Sequence, residues 1–583
     1  MKMDVPMLTI DSLVHLFQYL DDFEDLKSVS LVCKQWLQAT QIPKILKNFK
    51  LCFSFINVGT AIQEPLSLFK ESNRVFSNIY FENVKFTSID QDFWTNWGAE
   101  TITEVTFDYK FATPDLPGLN FLKLLLYTPQ LKTLNLVCSL HLCNIFIKEL
   151  TAKERKTLFK HFKNVKELQL YFSEVCIDTL NFEPWLDEFE NIKNIDFDFY
   201  CKKCPIPSKT YEQIFYFLNR YGSKVKGLHI CDNARPVHKS VIERLLKIKD
   251  MKLKAFDHII NQSTSKLFSD FLATQSDLEY LTVNGSFKLE VFKQMPKLKE
   301  IALANGPPLD GFEIFNSIPK LQSLGIAGLE FYDEDDFNNT YKLGQNLNLK
   351  ELHLIDATVS FEIPFVQRLC ECFRNIRLLN LDGAMIDDEG LQYIFQLKKL
   401  LELKLSNTQI SDKGLIGTSS NKHTAKKRKL SEVRDPEYSI NCLTDLEVLN
   451  IDFCKRITPK SYESISLKRL KHVSGQATTI SVTAFKSLGK HCPGIESLNF
   501  SKCNTMREKE IESMAKSISG LEILELQNCS ILNEACLKSL MLHCKKLQTL
   551  DVSKCDCDVQ SMAHKMSPEH FAFILLIQAS LIL

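Results

Sequence analysis

The sequence lacks an excess of charge of either sign. It has 71 basic and 71 acidic residues in 583, so the formal net charge at neutral pH is zero. A chain without net positive charge has no long-range attraction for nucleic acid or for an anionic membrane surface. We therefore expect no nucleic-acid partner, and any attraction to a charged protein must come from local patches.

Long apolar runs are also scarce. The N-terminal segment carries acids at Asp4 and Asp11 and has no unbroken apolar stretch, so we expect no signal peptide and a location in the cytoplasm, the nucleus or both. The stretch FAFILLIQASLIL (571–583) has 13 residues. A membrane-spanning helix needs about 20, so we expect no membrane span. The role of the tail, residues 561–583, stays open between strand pairing and membrane contact.

Sequence motifs of catalysis are missing too. There is no phosphate loop, HExxH helix or nucleophile elbow. Cys201 and Cys204 form a single CxxC pair without a second pair at zinc-ribbon spacing, which argues against a metal site. His–Cys neighbours at 491–492 and 543–544 point about 100° apart on a helix and cannot form a dyad. We expect no catalytic residues, metal or cofactor.

The sequence is rich in one short repeat, LxxLxL. Poorer copies at 192, 225, 253, 298 and 467 fill the gaps between good ones and give a period of about 27 residues, within the range of leucine-rich repeats. The good copies begin at residues 131, 165, 278, 321, 349, 376, 400, 446, 495, 521 and 547.

The pattern within each copy predicts an α/β fold. Alternation places two apolar side chains on one face of a short strand and three variable ones on the other. The following segment has helical spacing, as in Leu391, Ile394 and Phe395. Because one strand and one helix cannot bury their shared face alone, we expect a curved solenoid with short parallel strands on the concave face and helices on the convex face.

The later copies share a cysteine. Cys454, Cys503, Cys529 and Cys555 occupy one fixed position after the strand, where a small thiol can donate a weak hydrogen bond to backbone at a crowded turn. An odd total of 19 cysteines fits buried thiols in a reducing compartment. These residues resemble the cysteine-containing subclass of leucine-rich repeats, over residues 131–560.

The N-terminal segment predicts small helices with an incomplete core. Leu13, Leu16, Phe17 and Leu20 have the spacing of one helix face, and Leu26 begins a second helical pattern ending at Trp36. About 40 residues make a thin core, and a segment that small usually needs an outside surface to complete its burial. We expect its apolar face to dock on another protein.

The stretch LTIDSLVHLFQYLDDFEDLKSVSLVCKQW resembles an F-box, the helical motif that binds the adaptor Skp1. The resemblance implies a three-helix F-box over residues 5–48. Thr9 stands where the family usually has proline, and the link between Leu20 and Leu26 is longer by one residue. The alternative is that these helices cap the N-terminal end of the solenoid. The implied Skp1-binding residues are Leu8, Leu13, Leu16, Phe17, Leu20, Leu26, Leu31, Val32, Cys33 and Trp36.

Residues 49–130 join the two regions. The spacing from Phe76 to Ile102 to Leu131 is close to the repeat period, so this segment is interpreted as degenerate first repeats or a connecting cap. Trp94 and Trp97 are interpreted as cap or core residues, with a ligand cage as the alternative.

The resemblance implies a function without chemistry in this chain. An F-box ahead of leucine-rich repeats is typical of a substrate-recognition subunit of a ubiquitin ligase, joined through Skp1 to a cullin and a RING protein. The repeats would hold a protein target, whose identity the sequence does not reveal. The alternative is a scaffold or inhibitor that binds a partner without delivering it for ubiquitination.

The variable strand positions are rich in acids, which favours a target with a basic segment. The alternative is that lysines one position earlier, such as Lys166 and Lys193, cancel this charge. The candidate substrate-binding residues are Glu167, Tyr171, Asp196, Asp198, His229, Glu351, His353, Asp382 and Asp452.

One repeat contains an insertion. Residues 417–441 are rich in serine, threonine and lysine without apolar periodicity, which predicts a disordered loop outside the solenoid. The basic run Lys426, Lys427, Arg428 and Lys429 is a candidate nuclear import signal. The alternative is ordinary solvated loop charge.

Overall fold

The structure is a computed structural model. The predicted Skp1-binding residues, Trp97, the basic run and the tail 561–583 lie outside the residues that it describes. It describes residues 50–54, 60–61, 76–82, 84–85, 94–95, 101–109, 121–137, 140–173, 184–200, 208–232, 239–260, 262–305, 315, 317–328, 348–356, 363–417, 438–529, 534–547, 549–552 and 555.

The chain divides into two compact units, residues 1–278 and 279–583. The strands of the first unit are β1 Lys50–Ser54, β2 Thr60–Ala61, β3 Asn78–Glu82, β4 Val84–Lys85, β5 Glu104–Asp108, β6 Thr133–Val137, β7 Glu167–Ser173, β8 Asn194–Tyr200, β9 Gly227–Asp232 and β10 Ala255–Ile259. Its α-helices are α1 Leu140–Glu149, α2 Ala152–Phe162, α3 Ser208–Tyr221, α4 Lys239–Leu245 and α5 Ser265–Ala273, with 3-10 helices at Phe121–Tyr127, Pro184–Glu188 and Gln262–Thr264.

The second unit repeats the same alternation. Its strands are β11 Tyr280–Asn284, β12 Glu300–Ala304, β13 Ser323–Ala327, β14 Glu351–Ile355, β15 Leu378–Asn380, β16 Glu402–Lys404, β17 Val448–Asn450, β18 His472–Ser474, β19 Ser497–Asn499, β20 Ile523–Glu525 and β21 Thr549–Asp551. Its α-helices are α6 Ile363–Cys372, α7 Asp388–Ile394, α8 Asp412–Ile416, α9 Pro459–Ser464, α10 Val482–His491, α11 Glu508–Ser517 and α12 Glu534–His543, with 3-10 helices at Leu289–Gln294 and Ile440–Cys442.

Each unit is built on a parallel strand ladder. In the first unit β1, β3 and β5 to β10 pair in that order, and β2 pairs separately with β4. In the second unit β11 to β21 pair consecutively. The template leucines face each other across strands, as Leu352, Leu379 and Leu403 do, and are fully buried. The predicted α/β leucine-rich-repeat fold is confirmed.

The earliest strands carry phenylalanine where later copies carry leucine. The rings of Phe53, Phe81 and Phe107 stack at 5.4 Å across β1, β3 and β5. Trp94 is fully buried with its ring edge against Phe81, at 6.3 Å between centroids. The larger rings extend the core row through a segment where the leucine template is hard to recognise.

The recurrent cysteines connect neighbouring repeats. The thiol of Cys454 donates to the carbonyl of Leu405 at 3.0 Å, and that of Cys503 to Gly475 at 3.3 Å. Cys529 and Cys555 make the same bond to Phe500 and Leu526, at 3.3 and 2.9 Å, as the sequence predicted. Burial raises the pKa of Cys503 to about 12, so the buried thiol carries little thiolate at neutral pH.

A second connection links the starts of successive helices. Ser411 begins α8, and its backbone amide and hydroxyl donate to the carboxylate of Asp388 at 2.7 and 2.5 Å. Thr458 begins α9 and donates to Asp412 in the same way, at 2.8 and 2.5 Å. The Ser411 and Thr458 hydroxyls also accept the backbone amides of Lys413 and Lys460, so each cap satisfies an orphan amide of its own helix while holding that helix to the preceding repeat.

The insertion leaves the ladder undisturbed. Leu403 in β16 remains opposite Leu449 in β17, although 46 residues separate Asp412 from its partner Thr458. The two ends of the insertion lie together: a Cβ atom on Gly417 would be 2.9 Å from the carbonyl oxygen of Tyr438. Ile440 is fully buried in the core. The repeat therefore resumes by Tyr438, before the predicted boundary at residue 441.

One buried histidine in the first unit is surrounded by aromatic rings. His258 stacks on Phe256 and Phe268 at 5.4 and 5.8 Å, and its Nδ1 donates to the carbonyl of Ile230 at 3.2 Å. Its Nε2 has no hydrogen-bond partner among the described residues. Desolvation, only partly opposed by the Ile230 carbonyl, lowers the pKa to about 4.

This arrangement predicts a loss of stability in acid. The unfolded chain protonates His258 near pH 6.5 and the folded chain only near pH 4, so the folded state loses up to about 3 kcal/mol as pH falls through that window. The variant His258→Phe should lose less over the same interval. Urea unfolding of both proteins at the two ends of the window measures the difference, and equal pH dependence would contradict the assignment.

Candidate substrate-binding face

The exposed side of the first unit's ladder is a row of mostly polar residues. Strand register places Gln169, Asp196, His229 and Asp257 side by side on successive strands. Their neighbours Leu168, Ile195, Leu228 and Phe256 are buried on the opposite side. These alternating positions form what we call the strand face, and neighbouring positions along it are about 4.8 Å apart.

Acids predominate on the strand face of the first unit. Among the strand residues whose side chains the structure describes, the acids are Glu82, Glu104, Asp108, Glu167, Asp196 and Asp257, whereas Lys50 is a cation at the edge of β1. Glu167 accepts hydrogen bonds from Thr133 and Asn194, both at 3.2 Å. Asp257 lies 3.1 Å from Nδ1 of His229, so protonation of this histidine would form an ion pair on the face.

A row of lysines runs beside these acids. Five lysines lie directly before successive strands. Their backbones are linked, because the amides of Lys166, Lys193, Lys226 and Lys254 donate to the carbonyls of Lys132, Lys166, Lys193 and Lys226. They precede the first strand residue, at the N-terminal edge of the ladder. The row of lysines that the sequence offered as an alternative is therefore present, one residue before the strand face.

The candidate residues of the second unit differ in burial and in hydrogen bonding. Glu351 is exposed on β14, and His353 is half-buried, with its pKa lowered by desolvation. Asp382 accepts the backbone amide of Ser406 at 2.7 Å. Burial, and then the nearby Asp452 and Asp356, raise the pKa of the Asp382 carboxyl.

Asp452 is the most strongly engaged of the candidates. It is 8% exposed, and its Oδ1 accepts the hydroxyl of Ser474 and the backbone amide of Gln476, both at 2.6 Å. Its own amide is held by Asn450 Oδ1 at 2.8 Å. Asp452 and Asp382 therefore connect one repeat to the next, a role that the sequence pattern did not predict.

Two candidates are defined by backbone alone. Tyr171 in β7 is paired with Asp198 in β8, so they occupy adjacent positions of the first unit's ladder. Their side chains lie outside what the structure describes.

Sequence reasoning missed a cavity of about 850 Å³ among the helices of the first unit. We call it the basic pocket. Cations on α2 at i, i+1 and i+5, with Phe159 among them, were the signal that could have revealed it. Its lining residues are Ile147, Lys148, Ala152, Arg155, Lys156, Phe159, Lys160, Lys163, Trp185 and Glu188.

The described residues contain neither a membrane-spanning helix nor a cluster suited to a metal ion. No helix in this part of the chain is long and apolar enough to cross a membrane. Within the same ranges, no group of three or more histidine, cysteine, aspartate or glutamate side chains is arranged to hold a metal ion.

Comparison with known proteins identifies the N-terminal segment. Residues 11–50 match the family model described as F-box-like. No curated protein matches the chain.

Three solved structures that resemble the chain share little sequence identity with it. The Rad7 and Elc1 complex of yeast is 18% identical, with a TM-score of 0.33, over 59% of this chain and 88% of that chain. An internalin from Listeria monocytogenes is 13% identical (TM-score 0.32, 70% and 92% covered), and the mouse RP105/MD-1 complex 14% (0.37, 89% and 94%). At such scores they carry no argument about function, and the fold rests on the strand ladder.

The contacts of Asp452 predict a structural role that Glu351 does not share. Replacing Asp452 by alanine removes the acceptor of the Ser474 hydroxyl and of the part-buried amide of Gln476, and should lower the free energy of unfolding by about 1–3 kcal/mol. The matched change Glu351→Ala removes an exposed carboxylate and should alter stability by less than about 0.5 kcal/mol. Urea titration followed by circular dichroism measures both, and equal effects would contradict this distinction.

Proposed function

We propose that this chain, which carries an F-box-like segment ahead of leucine-rich repeats, is a substrate-recognition subunit of a Skp1–cullin–F-box ubiquitin ligase. The observation that carries the proposal is the match of residues 11–50 to the F-box-like family. The repeat ladder supports it, because a solenoid presents many variable side chains on one continuous surface while its core stays constant.

In this proposal the chain acts by proximity. The F-box-like segment binds Skp1 and through it a cullin and a RING protein, and the repeats bind the target. Holding a target's lysines near the ubiquitin-carrying enzyme raises their effective concentration without any bond being made or broken by this chain.

The target is proposed to carry a basic segment that contacts the first unit's strand face. Support comes from the six acids whose side chains are described on those strands, and from the position of Glu167, Asp196 and Asp257 on three of four successive strands. Aligned charges of one sign accelerate association with an oppositely charged partner and do so less at high salt. The lysine row sets the limit of this patch along one edge.

Skp1 binding is expected to depend on the apolar face of the F-box-like segment. Removing the large side chains of Leu16 and Trp36 together should reduce co-purification of Skp1 by at least about tenfold, because such residues dominate protein interfaces. The measurement is capture of Skp1 by the tagged full-length chain.

A matched control removes two large side chains elsewhere. Tyr216 and Leu542 are 60% and 63% exposed, so the double alanine variant should stay folded and retain Skp1. Absence of Skp1 from the wild-type capture would refute the ligase proposal and favour a scaffold. For a scaffold, depletion of the chain would also leave the level of its bound partner unchanged.

The strand face is tested with a lysine- and arginine-rich dodecapeptide at low salt. Reversing two face acids, Glu167→Lys with Asp196→Lys, should weaken binding by at least about fivefold. The control Glu149→Lys with Glu243→Lys changes the net charge equally, on helices α1 and α4, and should weaken it by less than about twofold. Fluorescence anisotropy measures both, and equal weakening would show that only net charge matters.

A further inference from the structure

The basic pocket lies between helical elements of the first unit. It is lined by α1, α2 and the 3-10 helix Pro184–Glu188, none of which contributes to the strand face. Its volume of about 850 Å³ is in the range of sites that enclose a ligand or several side chains of a partner. The pocket is therefore a second candidate surface, independent of the proposed target-binding face.

The base of the pocket is apolar. Ile147 and Trp185 are 6% and 2% exposed, and Phe159 is half-buried. Behind them Phe162 stacks on Phe189 at 4.4 Å, and Trp185 meets Phe189 edge-on at 6.0 Å. The cavity is present without a partner, so an apolar group can enter it with little reorganisation.

The rim of the pocket is cationic. Lys148, Arg155, Lys156, Lys160 and Lys163 line it, against a single acid, Glu188. Lys163 is paired with Glu190 at 3.1 Å. Arg155, Lys156 and Lys160 have no ion pair within the described residues, and Glu154, the acid beside them on α2, is engaged by Thr151 and Lys123.

We propose that the basic pocket binds an acidic peptide segment of a protein partner that inserts one large apolar side chain. An apolar group matches the apolar base, and negative charge beside that group matches the cations of the rim. A peptide that alternates an anchoring residue with flanking carboxylates meets both requirements, because carboxylates form charge-assisted hydrogen bonds with lysine and arginine. The site does not depend on the proposed function.

A labelled dodecapeptide with one central phenylalanine flanked by aspartates and glutamates is the probe. Fluorescence anisotropy with the full chain should show saturable binding that weakens with salt. Replacing the phenylalanine of the peptide by alanine should reduce affinity by at least about tenfold, because the apolar base then remains unfilled.

The protein variant reverses two rim cations, Lys156→Glu with Lys160→Glu, and should also reduce affinity by at least about tenfold. The matched control, Lys153→Glu with Lys166→Glu, reverses two exposed lysines of the same unit that do not line the pocket. It should change affinity by less than about twofold. Circular dichroism establishes that both variants are folded.

Three outcomes would overturn the proposal. No saturable binding of the phenylalanine peptide would do so, as would equal affinity for the alanine peptide. Equal loss of affinity in the rim and control variants would show that only net charge matters.

Sedimentation with vesicles that contain phosphatidylserine forms a second arm. If the vesicles bind the wild type but not the rim variant, and the peptide does not compete, the surface is a membrane contact instead.

Discussion

The parallel backbone ladder is the constraint on which the rest of the structure depends. Each strand of the ladder is only three to seven residues long, so no repeat could hold its own core. Pairing with the neighbour fixes which residues face inward, because a shift of one position would turn every template leucine to solvent. The cysteine bonds, the paired helix caps and the contacts of Asp452 all depend on this register, since each joins atoms of different repeats.

Much of this arrangement follows from the sequence. Apolar alternation identified the buried rows, and the recurrent cysteines were correctly placed at a turn where a thiol donates to backbone. The same alternation could not separate Asp452 from Glu351. Both are acids near the strand, and only the position of the next repeat's amides decides which becomes a buried bridge.

Sequence reasoning missed the basic pocket for a related reason. Four of its five cations lie on α2 or directly after it and Lys148 lies on α1, and charge on a helix surface is ordinarily solvated. The cavity arises from the packing of α2 against elements whose spacing varies along the chain.

The first strands were hard to recognise because Phe53, Phe81 and Phe107 replace leucine. The zero net charge likewise conceals acids on strand positions, lysines at strand starts and cations at the pocket.

The closeness of Gly417 and Tyr438 shows that chain length and repeat register are separate variables in this fold. Because the two ends of the inserted segment meet, the ladder between β16 and β17 imposes no requirement on how many residues lie between them. The entropic cost of such a loop grows only with the logarithm of its length. This junction is thus a natural point for attaching a fluorescent protein or an affinity handle, with both reporter and solenoid retaining their own structure.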